Sequence, residues 1–283
     1  MNKIVTAEEV AIRLQEIKKA VNMNDTAMMK KAFSFIDLTT LNTTDNSQVV
    51  DGMIDKVNHF NKNYPEMPNV AAVCVYPNFV KGVKEKLSDK KVKIACVTGG
   101  FPSSQTFLSV KLAETSLAVE KGADETDMVL SVGSFIAGEF EKCAREITLI
   151  KTAAGNAHLK VILETGALPT LNDIRIASVL AMESGADFIK TSTGKMEPAS
   201  TPESVYVMAD AIKDYYSKTG KKIGLKPAGG IATTDTALFY CQIVKEVLGD
   251  EWLSPGLFRL GASRLANNLI NDIYKTSSPV KYF

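Results

Sequence analysis

From about residue 65 onward the chain alternates short, β-branched apolar runs with longer amphipathic stretches. The runs fall at 69–76, 92–98, 125–132, 159–165, 187–193, 222–228 and 257–262. They are rich in Val and Ile and show little alternation with polar residues, the pattern of strands covered on both faces. An eighth run, FSFIDLT (33–39), precedes them and is followed by a helical pattern over 49–63. Between runs the apolar residues recur at helical spacing. In 104–122, Phe107, Val110, Leu112, Leu117 and Val119 mark the apolar positions, with Ser104 placed to cap the helix and Gly122 to end it. Eight strands, each followed by a helix, predict a closed (β/α)8 barrel. An open doubly wound sheet is the rival, but no GxGxxG follows the first strand. Residues 7–22 add an N-terminal helix, placed to cover the barrel bottom. No Pro-, Gly- or Ser-rich linker interrupts the chain. The reading is one barrel domain over 1–283, with a helical extension at 1–30 and a flexible tail at 275–283.

Composition narrows the chemistry. The 283 residues suit one barrel of roughly 250 with short extensions. A formal net charge of +1 gives no general field toward nucleic acid or an anionic membrane. No apolar run approaches the roughly 20 residues of a membrane span, and residues 1–22 lack a signal peptide's apolar segment. The four cysteines, Cys74, Cys96, Cys143 and Cys241, are scattered, as reduced thiols of a cytoplasmic protein are. Only two histidines occur, His59 and His158, neither in a metal-binding pattern. No metal and no cofactor are therefore expected, and the chemistry falls to Lys, Asp or Glu.

In a barrel, reactive groups sit at the C-terminal ends of the strands. There the chain places Asp127, Lys190 and Lys226. Side chains alternate along a strand, so Lys190 shares a face with Phe188, and Lys226 with Gly224. If those faces point inward, two lysines from neighbouring strands enter one cavity. At about 5–6 Å and an effective dielectric near 20, their repulsion is about 3 kcal/mol, roughly two pKa units off one of them. A lysine driven toward neutrality is a nucleophile suited to a Schiff base. The alternative is two solvated or ion-paired lysines, with Asp127 as their counter-ion. Glycine-rich turns, Gly229-Gly230 after strand seven and Gly261-Ala262-Ser263 after strand eight, stand where barrels hold phosphate, with Thr193-Gly194-Lys195 adding donors. Glu164 and Asp37 end strands five and one as acid/base groups, hydroxyl ligands or lysine partners. Cys74 reads as a buried small hydrophobe.

These residues sit in segments that together resemble the deoxyribose-phosphate aldolase family: FIDLTTLN (35–42), CVYP (74–77), GADETDMV (122–129), KVILETG (160–166), GADFIKTSTGK (185–195), KPAGGI (226–231) and GASRL (261–265). The resemblance runs from about residue 33 to 272. It implies a metal-free Schiff-base enzyme that reversibly cleaves 2-deoxy-D-ribose 5-phosphate to acetaldehyde and glyceraldehyde 3-phosphate. By motif, Lys190 is implied as the Schiff-base lysine, Lys226 as the lysine that perturbs it, and Asp127 as a proton relay. Asp37, Thr39 and Cys74 match pocket positions. Gly194, Lys195, Gly229, Gly230, Gly261 and Ser263, with Thr193 beside them, match the phosphate surround. Two positions depart: Ala232 stands where the family commonly has Arg, and Arg264 where it often has Ser. The arginine has moved from one phosphate loop to the other. Tyr282, next to last, matches weakly a C-terminal tyrosine that some members send into the site. The implied partner is a phosphosugar, not nucleic acid or membrane, and a homodimer is left open. A lysine aldolase with a ketone donor and a phosphosugar sensor without turnover are the competing readings.

Overall fold

The structure is a computed structural model and describes residues 4–283, so the first three residues of the expected extension lie outside it. Its eight strands are β1 (Ile36–Thr39), β2 (Ala72–Val75), β3 (Lys93–Thr98), β4 (Glu125–Val129), β5 (His158–Ile162), β6 (Phe188–Lys190), β7 (Gly224–Lys226) and β8 (Leu260–Ala262). All pair in parallel, in the order β7-β6-β5-β4-β3-β2-β1-β8. The circle closes between β7 and β8 through bridges at Leu225–Phe258 and Ala228–Gly261. Around it lie α3 (Ser47–Asn63), α4 (Val80–Lys86), α5 (Leu108–Glu120), α6 (Val132–Ile136), α7 (Phe140–Ala154), α8 (Leu171–Glu183), α9 (Pro202–Thr219), α10 (Thr234–Leu248) and α11 (Arg264–Tyr274). This is the (β/α)8 barrel that the strand–helix alternation predicts.

The two faces of each strand have different fates. Ile36, Val73, Ile94, Met128, Val161, Ile189, Leu225 and Leu260 point outward and join the main apolar core against the helices. The inner face holds a small separate apolar group, with Ala72, Cys74, Ala95 and Val97, beside buried charges. Such a chain folds because outward burial supplies the hydrophobic stabilisation, at about 25 cal/mol per Å², leaving the interior free for polar groups. Helix boundaries follow local chemistry: α9 opens on a Thr201–Ser204 capping box with Pro202 in the first turn, and ends at Gly220 with φ +69°.

Three expectations are corrected. First, α1 (Ala7–Lys19) does not lie beneath the barrel. It buries Val10, Leu14 and Ile17 on the outer wall of α9 and α10, and the Val5 amide just before it donates to Asn172 Oδ1 in the first turn of α8 (2.9 Å). A second helix, α2 (Thr26–Phe33), then leads into β1.

Second, Ser104 does not cap α5, and of its marked apolar positions only Leu112 and Val119 are half-buried, with Leu112 packed on the core. The helix starts at Leu108, while Phe107, Val110 and Leu117 are 80%, 50% and 53% exposed. Lys111, Thr115 and Ala118 face inward instead. Lys111 Nζ donates to Ser104 Oγ (2.7 Å), Ser131 Oγ (3.1 Å) and Glu146 Oε1 (2.9 Å), a full set of acceptors for an ammonium. Satisfying that buried ion decides which face goes in.

Third, the tail is docked. Asn267 brackets the Phe283 backbone with two hydrogen bonds of 2.9 Å, and Tyr282 and Phe283 pack on Phe60.

Candidate active site

Strand register stacks the inward charges, with Lys160 level with Phe188, two residues before Lys190. Asp127 pairs with Lys160 across β4 and β5, and Lys190 with Lys226 across β6 and β7. Asp127 Oδ2 accepts from both Lys190 Nζ (2.9 Å) and Lys226 Nζ (2.7 Å). The two lysine nitrogens therefore lie no farther apart than those two bonds laid end to end. Lys226 also reaches Asp37 Oδ2 (2.5 Å). Lys190 and Lys226 converge on one oxygen of Asp127 as ion pairs, the arrangement left open as the alternative, and only Lys190 reaches the cavity.

Beneath this tier lies a second that the sequence reading missed. Lys160 Nζ donates to Asp127 Oδ1 (2.9 Å) and Glu125 Oε2 (2.6 Å). Arg259 donates to Asp37 Oδ1 (2.6 Å) and Glu125 Oε1 (2.7 Å), with its guanidinium 5.7 Å from the Phe188 ring centre. The available signal was alternation: Glu125 sits two residues before Asp127, and Arg259 two before Gly261, so each pair shares a face. A lone charge inside an apolar strand run, such as Lys160, needs a buried partner.

The cluster holds four cationic side chains, Lys160, Lys190, Lys226 and Arg259, against three carboxylates, Asp37, Glu125 and Asp127. Cations outnumber carboxylates by one, and Lys190 is the lysine of the cluster whose pKa is lowered. Burial, then the neighbouring Lys226, push its pKa down, against the pull of Asp127. Lys226, held by two carboxylates, is raised despite its burial. Burial would lift Asp127, but Lys160, Lys190 and Lys226 together hold it well below the usual carboxylate range. Asp37 is likewise lowered by Lys226 and Arg259 against burial. Burial raises the Cys74 thiol.

Above Lys190 opens a cavity of about 770 Å³. Of the expected residues, Thr39, Lys190, Thr193, Gly194, Lys195, Gly229, Gly230, Gly261 and Ser263 line it. Asp37, Cys74, Asp127 and Lys226 do not, being wholly buried below. Lys56, Arg264 and Ala232 also reach the wall, and among the described residues that wall carries Lys56, Lys190, Lys195 and Arg264 but no Asp or Glu. Glu164 is a holder of loops: at φ +54° it accepts from the Thr193 amide (3.1 Å) and hydroxyl (2.5 Å), shaping the turn that presents Gly194 and Lys195. Thr191 ties that loop to the next by exchanging hydrogen bonds with the Ala228 backbone (3.1 and 2.9 Å). Gly229, at φ +84°, has room for no side chain, since a Cβ there would lie 2.6 Å from that of Ala199. Ser263 precedes α11 without capping it, so the first amides of that helix have no side-chain partner. Tyr282 turns away from the cavity, donating to the Lys56 carbonyl (2.7 Å), and Phe283 takes the place on the wall. Among the described residues no group of three or more His, Cys, Asp or Glu is arranged to hold a metal ion, and no helix is long and apolar enough to cross a membrane.

The chain has relatives among known proteins. The model of the DeoC/LacD family of aldolases matches residues 31–247. The putative deoxyribose-phosphate aldolase of Caenorhabditis elegans is 41% identical over 271 residues, 94% of this chain and 88% of that protein. The deoxyribose-phosphate aldolase of Homo sapiens is 44% identical over 258 residues, 88% and 81% of the two chains. The solved structure of a putative deoxyribose-phosphate aldolase from Coccidioides immitis matches with a TM-score of 0.72 at 26% identity, covering 94% of this chain and 98% of that one. Fold and match together define a lyase built on a (β/α)8 barrel. The chain belongs to the DeoC/LacD family of aldolases.

Proposed function

We propose that this aldolase reversibly cleaves 2-deoxy-D-ribose 5-phosphate to acetaldehyde and D-glyceraldehyde 3-phosphate through a Schiff base on Lys190, serving deoxynucleoside breakdown in the cytoplasm. The observation that carries this reading is Lys190 itself: a lysine on the floor of a cavity lined by no Asp or Glu, sharing one oxygen of Asp127 with a second lysine.

Neutral Lys190 Nζ adds to the C1 aldehyde of the open-chain sugar, and the carbinolamine loses water to give an iminium. Loss of the C3 hydroxyl proton sends the C2–C3 bond electrons into the iminium. Glyceraldehyde 3-phosphate departs, leaving an enamine. Protonation at C2 and hydrolysis release acetaldehyde and restore the amine. Asp127 was expected to serve as the base through a water. Its burial, low pKa and three lysine partners support a counter-ion role in the resting site, with a cavity water as direct proton acceptor. Lys226 keeps Lys190 short of full protonation. The phosphate is placed against Gly194, Lys195, Gly229, Gly230 and the open amides of α11, where positive φ and a helix N-terminus favour an anion. Its binding energy positions C1 over Lys190.

Borohydride reduction with substrate present, followed by peptide mass mapping, tests the assignment. The expected adduct falls on the peptide carrying Lys190. An adduct on Lys226 reverses the two roles, and no adduct ends the Schiff-base reading.

A further inference from the structure

The mechanism above uses only the upper tier of the ion network, yet three more charged side chains are buried beneath it. We propose that Lys160, Glu125 and Arg259, which do not line the cavity, act as positioning residues that set from below how readily Lys190 sheds its proton, the cations favouring the neutral amine and Glu125 opposing it. This rests on Lys190 being the nucleophile.

The geometry has a division of labour. Asp127 and Asp37 each contact the upper lysines through Oδ2 and accept a hydrogen bond from a lower cation at Oδ1. Asp127 offers Oδ2 to Lys190 and Lys226, and Oδ1 to Lys160 at 2.9 Å. Asp37 ion-pairs through Oδ2 with Lys226 (2.5 Å) and more distantly with Lys160 (3.9 Å), and accepts at Oδ1 from Arg259 at 2.6 Å. Glu125 joins the two lower cations to each other. The lower cations thus draw on carboxylate charge that would otherwise hold Lys190 as an ammonium. Facing the cluster are Asp37 from β1, Cys74 from β2, Glu125 and Asp127 from β4, Lys160 from β5, Lys226 from β7 and Arg259 ahead of β8, while β3 offers only Ala95 and Val97. With four cations and three anions, neutralising Lys190 balances the interior. With Lys160 removed, three cations face three anions and Lys190 can keep its proton at no excess. With Glu125 neutralised, the excess grows and Lys190 loses its proton more easily. A direction set by the sign of the removed charge is something a merely structural role would not produce.

The test compares Lys160→Met, Lys160→Arg and Glu125→Gln by the pH dependence of kcat/KM, and by the 13C and 15N shifts of labelled Lys190 in unliganded enzyme. The expected result is an acid limb moved up by about one pH unit in Lys160→Met and down by about one unit in Glu125→Gln, with Lys160→Arg near wild type. Below the limb that is about a tenfold loss and a tenfold gain. Should Lys160→Met not fold, Arg259→Gln supplies the arm in which a cation is lost, with the same upward shift expected. Limbs that stay in place, or move the same way in both arms, overturn the proposal. The labelled-lysine titration needs no turnover, so a wild-type enzyme without a borohydride adduct would end the Schiff-base reading while leaving this result separately readable.

Discussion

Replacing Lys226 by Met removes one ammonium from the shared oxygen of Asp127 and keeps the length of the side chain. The wild-type nitrogens are both bonded to that oxygen, at 2.9 and 2.7 Å. Two unit charges roughly 5 Å apart at an effective dielectric near 20 repel by about 3 kcal/mol, which is about two pKa units. The loss also leaves Asp37 and Asp127 less compensated, and Asp127 then leans on Lys190, adding to the rise. Near pH 7 the neutral fraction of Lys190 should fall by about a hundredfold, and kcat/KM with it. Raising the pH by about two units should recover much of the loss. The assay is the rate of 2-deoxyribose 5-phosphate cleavage against pH for wild type, Lys226→Met and the charge-keeping Lys226→Arg, with urea unfolding to confirm the fold. A loss independent of pH, with the acid limb unmoved, would refute the electrostatic account and leave Lys226 as a contact of another kind.

Arg264, exposed on the cavity wall at the start of α11, should contribute to phosphate binding; Arg264→Ala is expected to raise KM for the phosphorylated sugar about tenfold and leave 2-deoxyribose unchanged. An equal loss on both sugars would contradict this. At Gly224 a Cβ would lie 2.2 Å from the Phe188 ring, so Gly224→Ala should cost about 1–3 kcal/mol in urea unfolding. Unchanged stability would mean that the ring yields freely. Asp37 and Asp127 are held below their ordinary range, so the folded state takes up protons later than the unfolded chain. Their contribution is present above about pH 4 and drains away as pH falls toward the depressed folded values. Lys226 is raised, so its contribution is complete below about pH 10.4 and is lost as pH climbs through the folded value. A melting temperature that increased on acidification below pH 4 would contradict the assignment.

The strands were legible because a strand buried on both faces writes its burial into consecutive residues. Even β6, β7 and β8, three residues each, were marked by the apolar runs around them. Lys190 and Lys226 were legible from position, each ending such a run. Lys160 was not, since one charge within KVIL reads as an exception until its partners on β4 are known. Arg259 was hidden likewise, its carboxylates lying 222 and 134 residues away along the chain. For α5 the buried face takes in Leu112 but centres on Lys111, whose acceptors come from loops after β3 and β4 that no local pattern displays. The apolar stripe of α1 announces that it packs, but not on which helices. The tail is held by backbone bonds to Asn267 and by aromatic contacts with α3, neither visible as a repeat.

The buried ions come from β1, β4, β5, β6, β7 and the residue ahead of β8, nearly the whole circumference. A half-barrel would strand Asp37 without Lys226 and Arg259, or Asp127 without its three lysines, each a bare charge facing an apolar interior. Partial assembly is thereby penalised twice, once for open strand edges and once for orphaned ions. Closing the seam between β7 and β8 is what brings Arg259 to Asp37 and Glu125, so the ion network is complete only in the shut ring.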